Sequence, residues 1–172
     1  MKQNYFELFQ LPPGFEIERA ALDEAWREVQ ARVHPDRFAA ASEREQRLAL
    51  QWATHANEAY QVLKDPARRA AYLCELNGVA LEAESNTAMP PAFLMQQMEW
   101  REALEDARRA QDEAALDVLQ DELRQAHTRQ MGQVKDALQA QDYAQAAAAL
   151  RRLMFIDKFA AELETAYDLL YL

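Results

Sequence analysis

All six prolines of this chain lie at or before position 91. Proline fixes φ, lacks a backbone N–H and clashes with the turn before it, so a helix running through one loses about 3 kcal/mol. Unbroken helices are therefore excluded across Pro12-Pro13, Pro35, Pro66 and Pro90-Pro91, while the stretch beyond is uninterrupted. Between these points the composition is that of helices. Ala, Leu, Glu, Gln and Arg dominate, only three glycines occur in 172 residues, and windows of β-branched alternation are few. The fold class is all-α.

The charge narrows the partners. With 29 acids against 19 bases the net charge is −10, the opposite of a nucleic-acid footprint. No apolar run approaches the roughly 20 residues of a membrane span, and MKQNYFELF is too short and too acidic for a signal peptide. The single cysteine, Cys74, rules out an internal disulfide and reads as a buried, inert thiol. A protein of a reducing compartment, the cytoplasm, is expected, with no membrane or nucleic acid among its partners.

Tyr5, Phe6, Leu8 and Phe9 form a short aromatic helix that stops at Pro12-Pro13-Gly14. Ile17, Ala21, Ala25, Trp26, Val29 and Val33 then make one helical stripe, and Leu48, Trp52, Ala56, Ala59, Tyr60 and Leu63 a second. The two stripes should face each other in an antiparallel hairpin whose link is His34-Pro35-Asp36. Asp65 and Pro66 supply an N-cap and a first-turn proline for a further helix, which ends before Gly78. Residues 1–78 thus read as a first domain.

Residues 79–91 (VALEAESNTAMPP) lose the stripe and read as a connector. Residues 92–172 form a second domain with helices near Ala92–Ala110, Asp112–Gln139 and Asp142–Leu170. Leu116, Leu119, Leu123 and Ala126 give one seam; Leu153, Ile156, Ala160, Leu163, Tyr167 and Leu170 give another. Short turns between three such helices make an antiparallel three-helix bundle.

Candidate chemistry is thin. His34 and Asp36 could exchange protons, but no metal-ligand spacing, Gly-rich phosphate loop or nucleophile elbow accompanies them. His55 and His127 stand apart from any ligand set. The chain is read as a non-enzyme without metal or cofactor, and three polar or rigid residues between packed helices as a contact point for another protein.

Tyr5-Phe6-Glu7-Leu8-Phe9, His34-Pro35-Asp36-Arg37-Phe38, the run Asn57-Glu58-Ala59-Tyr60-Gln61-Val62-Leu63-Lys64-Asp65-Pro66, and Arg68-Arg69 before Tyr72 together resemble a J-domain. The resemblance implies a co-chaperone that stimulates ATP hydrolysis by a DnaK-class chaperone. The contact would be His34, Pro35 and Asp36, with Arg27, Arg32 and Arg37 meeting an acidic surface. Three arginines (Arg19, Arg27, Arg32) stand against four acids (Glu18, Asp23, Glu24, Glu28) between Ile17 and Val33, which favours a dedicated chaperone with a milder acidic surface.

The second half, with Phe93 to Glu102 (FLMQQMEWRE) and Arg152 to Lys158 (RLMFIDK), is similar to HscB-type co-chaperones of iron–sulfur cluster biogenesis. That likeness implies an HscA-like chaperone and an iron–sulfur scaffold protein as partners. It puts the scaffold surface at Leu94, Met95, Met98, Glu99, Arg101, Glu102 and Phe155. A helical wheel at about 100° per residue selects most of the same residues. With Phe93 at zero, Trp100, Leu104 and Ala107 form the core stripe, and Leu94, Met95 and Met98 lie on the opposite half, surplus to it. Phe155 falls about 200° from Leu153 and is placed outward. The other reading is a J-protein for a different client, its bundle a dimerisation or structural module. A monomer or weak dimer is expected.

Overall fold

Each proline stands in a loop or at the start of a helix. The computed structural model of this chain describes residues 3–82 and 88–170. Seven α-helices are found among them: α1 (Tyr5–Leu8), α2 (Arg19–Val33), α3 (Glu43–Lys64), α4 (Pro66–Leu76), α5 (Pro91–Ala110), α6 (Glu113–Gln139) and α7 (Tyr143–Leu170). A short 3-10 turn, Pro35–Phe38, separates α2 from α3. The chain divides into two compact units, Met1–Asn77 and Gly78–Leu172. Of the connector read at 79–91, residues 83–87 lie outside the described residues.

In the first unit α2 and α3 form an antiparallel hairpin. The face α3 buries is small: Ala49, Ala53, Ala56 and Ala59, with Leu63 at its end. Small side chains let two helices approach closely, and Leu22 of α2 is fully buried in return. The stripe read for α3 needs correcting at its first half, because Leu48 and Trp52 are exposed. α1 and α4 are short, and Tyr5 of α1 meets α3 at His55, in the half of the helix beyond Leu48 and Trp52. The stripe therefore runs on beyond its cover.

Local chemistry sets the ends of the elements. Asn4 and Glu7 form a capping box at α1, and Ser42 and Glu45 another at α3. Asp65 caps α4 by accepting from the Arg68 N–H at 2.9 Å. Arg69, one turn on, is buried; it donates to the Leu63 carbonyl at 2.6 Å and the Phe15 carbonyl at 2.7 Å. One guanidinium thus closes the end of α3 and ties down the loop before α2. Gly78 follows α4 at φ 79°, the left-handed conformation that stops a helix.

The second unit is the three-helix bundle. Trp100, Leu104 and Ala107 of α5, Leu116, Leu119, Leu123 and Ala126 of α6, and Ile156, Phe159, Leu163 and Ala166 of α7 share one core. Side-chain bonds run Tyr167 to Asp117 (2.6 Å) and Arg152 to Gln130 (2.9 Å), so α6 and α7 are antiparallel. Burial, and then the Asp117 carboxylate, push the Tyr167 phenol up to about 12. Both interhelix turns use the same device, a glutamine in the left-handed region followed by an aspartate that caps the next helix. Gln111 has φ 51° and Gln141 φ 58°. Asp112 accepts from Ala115, and Asp142 from Gln145, each at 3.0 Å.

Candidate functional site

The link between α2 and α3 is built by its own residues. His34 is extended (φ −57°, ψ 128°), as a residue before proline must be. Pro35 opens the 3-10 turn; its side chain lies outside what the structure describes. The Asp36 N–H donates to His34 Nδ1 at 3.3 Å, and Asp36 Oδ2 lies 3.5 Å from the same nitrogen. The histidine is thereby turned back over the turn, while the Asp36 side chain is 90% exposed. Arg37 donates to the Ala31 carbonyl at 2.8 Å, which satisfies a free carbonyl at the end of α2. Its guanidinium is thus partly occupied in holding the loop.

A polar clasp fixes the two helices that carry the loop. The Trp26 indole N–H and the Gln30 amide both donate to Asn57 Oδ1, at 3.0 and 2.6 Å. Asp23 accepts from the Tyr60 hydroxyl at 2.8 Å and from Arg19 at 2.8 Å, and the Tyr60 ring stacks on Trp26. These bonds hold the Asp23 carboxyl below the usual carboxylate range, Tyr60 contributing most. The sequence placed Tyr60 in the stripe that faces Trp26, as their stacking bears out, but showed Asn57 and Arg69 only as part of a motif. Their work is to lock hairpin and turn. Arg27 and Arg32 are exposed on α2, Arg32 lying 3.6 Å from the Glu28 carboxylate.

On α5 the core stripe and the surplus apolar residues separate as helical geometry demands. Trp100, Leu104 and Ala107 are buried, whereas Leu94, Met95 and Met98 are 45%, 63% and 71% exposed. Glu99 and Glu102 are exposed beside them. Arg101 is held against α7, its guanidinium 5.9 Å from the Phe159 ring centre and 3.5 Å from the Glu162 carboxylate. Phe155 requires a correction. It does not point outward: it is half-buried against the core, edge-on to Phe93 at 5.9 Å and 6.5 Å from Phe159. The wheel missed this because the Leu153 seam is not the only contact face of α7; α5 packs along its flank. The neighbouring Met154 is the exposed one.

The remaining reactive side chains are engaged elsewhere. Cys74 is buried, and burial pushes its thiol up. His55 lies between the Tyr5 and Trp52 rings, and His127 Nε2 is 3.4 Å from Asp157. Among the described residues no three His, Cys, Asp or Glu converge as a metal site, and no helix is long and apolar enough to cross a membrane.

Residues 89–164 match a family model described as the HSCB C-terminal oligomerisation domain. A co-chaperone protein HscB homolog of Bordetella avium is 56% identical over 161 residues, 93% of this chain and 95% of that protein. The homolog of Burkholderia thailandensis is 52% identical over 163 residues, 95% of this chain and 93% of that one. Among solved structures, the chaperone HscB from Vibrio cholerae matches with a TM-score of 0.90 at 44% identity, covering 97% of this chain and 99% of that one. The likeness runs through both units rather than through either alone.

Proposed function

The chain belongs to the HscB family of co-chaperones, and from that premise we propose how its two units divide the work. It is a J-domain co-chaperone of a DnaK-class chaperone. We assign the contact with an HscA-like chaperone to His34, Pro35 and Asp36, with Arg27, Arg32 and Arg37 around it. The observation that carries this is the geometry of the loop: the clasp holds both helices, the His34–Asp36 bond shapes the turn, and the Asp36 carboxylate is left in solvent. Such a loop makes and breaks no bond. It binds one conformation of its partner better than another, and favours the state that hydrolyses ATP. The arginines set the rate of encounter more than the final affinity.

The second unit presents an iron–sulfur scaffold protein to that chaperone through Leu94, Met95, Met98, Glu99, Arg101 and Glu102, with Phe155 supporting the face from below. An apolar centre with a charged rim is the make-up of a docking surface. Holding the scaffold there raises its effective concentration at the chaperone. A cytoplasmic location is part of the same proposal.

The test is steady-state ATP hydrolysis by the chaperone with and without this chain. His34→Gln and Asp36→Asn should each remove the stimulation while moving the melting temperature by only a degree or two. Full stimulation by folded variants at both positions ends the assignment. A second reading, a bundle that pairs with its own copy, is favoured by the name of the matching family model and by the exposed methionines. Sedimentation of the chain alone and with the scaffold separates the two: a stable homodimer that ignores the scaffold supports the second.

A further inference from the structure

The exposed half of the α3 stripe points to a second docking surface on the first unit. Leu48 and Trp52, each 46% exposed, continue the line that Ala59 and Leu63 bury farther along α3. At about 100° per residue, Asn57, which faces α2, falls about 140° from Trp52 and about 180° from Leu48. Tyr60, which also faces α2, falls about 80° from Trp52 and about 120° from Leu48, so the strip runs beside the α2 contact and outside it.

It does not end at α3. Trp52 meets His55 edge-on at 6.1 Å, His55 meets Tyr5 at 5.5 Å, and Tyr5 stacks on Tyr72 of α4 at 4.4 Å. Leu76, one turn beyond Tyr72, is exposed at the far end. The charges that reach the two phenols are carboxylates. Glu58 and Glu75 act on Tyr5, and Glu75 and Glu7 on Tyr72; with burial as the larger cause, both hydroxyls are raised above their usual range. Aromatic faces are electron-rich and attract cations, more so when carboxylates stand at their edge. Large exposed apolar side chains in a row mark contact sites.

We propose that the strip from Leu48 and Trp52 through His55 and Tyr5 to Tyr72 docks a basic segment of a partner protein. In that segment Lys or Arg side chains alternate with apolar ones: the cations lie over the rings beside Glu58 and Glu75, and the apolar side chains cover Leu48 and Trp52. Because the strip includes none of the residues assigned to the chaperone, such a partner binds together with the chaperone rather than in its place.

The test uses the full chain and two synthetic probes, acetyl-Leu-Arg-Leu-Arg-Leu-amide and the same peptide with glutamates for the arginines. In 1H–15N spectra the basic probe should move the Trp52 indole N–H and the Tyr5 and Tyr72 amides saturably, with an effect that weakens as salt rises. The acidic probe should move none of them. Trp52→Gln, and separately the pair Glu58→Gln and Glu75→Gln, should each weaken binding at least fivefold without altering ATPase stimulation. The charge pair keeps the test open should the Trp52 variant lose its fold. Shifts confined to other acidic surfaces, or binding unchanged in both variants, overturn the proposal. So does a homodimer in sedimentation that the Trp52 variant dissolves, since a second copy would then be the occupant.

Discussion

Asp23 joins the two helices of the hairpin through one carboxylate, accepting from Tyr60 across on α3 and from Arg19 one turn back on its own helix. Because these bonds favour the ionised form, its folded pKa is depressed. A depressed carboxyl contributes stability above its unfolded value, near about 4, and loses that contribution as the pH falls through the folded value. Asp23→Asn should therefore be less stable than the parent at neutral pH, with the difference closing as the pH is lowered below about 4. Urea melts at stepped pH check this; an equal gap at every pH would mean that the carboxylate charge is irrelevant. Residues of this kind were half legible. His34 and Asp36 stood out because proline isolates them, and so were found from sequence. The facing stripes brought Tyr60 toward Trp26, but nothing in the spacing of Asn57 and Tyr60 reveals their polar bonds to Trp26, Gln30 and Asp23 across the hairpin. Cross-helix partners are set by register, which a single sequence does not display.

Helix ends were more legible than helix faces. Proline positions and the Asp65 cap bracketed the elements closely, because both act within a few residues along the chain. The buried face of α3 was misread in its first half because α1 and α4 stop short of it, and the reach of another element is a tertiary fact. The bundle turns were hidden for a different reason. Helix stops are expected at glycine, yet Gln111 and Gln141 take the left-handed conformation, at a cost of about 1–2 kcal/mol relative to a right-handed residue. Relieving that strain gives a prediction. Gln141→Gly should stabilise the second unit by about 0.5–1 kcal/mol, the gain reduced by the greater freedom of glycine in the unfolded chain. Thermal melts monitored by circular dichroism measure it, and a lower melting temperature would show that the Gln141 side chain carries an interaction that outweighs the backbone.

For the molecule as a whole, the proposed division of work between the two compact units would make the two activities separable. Leu94→Ala, Met95→Ala and Met98→Ala together remove exposed side chains, so the bundle should keep its melting temperature. If they are hot spots, binding of the scaffold should weaken by several kcal/mol, roughly 2 for each strong contributor. Stimulation of the chaperone without scaffold should persist, since the His34 loop is untouched. Phe155 is left out of this variant deliberately: it packs on Phe93 and Phe159, and truncating it would open a cavity and mix stability with binding. Calorimetric titration with the scaffold decides; unchanged affinity in the folded triple variant removes the α5 face from the interface.

The exposure of Met95 and Met98 also makes that face sensitive to oxidants. Peroxide converts a thioether to a sulfoxide, releasing water and leaving a polar, chiral group where an apolar one stood. Both methionines are in solvent on the proposed docking surface, with Met154 exposed on the same bundle. Mild peroxide treatment should thus lower scaffold affinity at least tenfold, leave basal chaperone stimulation intact, and be reversed by methionine sulfoxide reductases. A variant carrying Met95→Leu and Met98→Leu should bind the scaffold and resist the treatment. Under oxidative stress this co-chaperone would keep its hold on the chaperone and let go of its cargo until the sulfoxides are reduced.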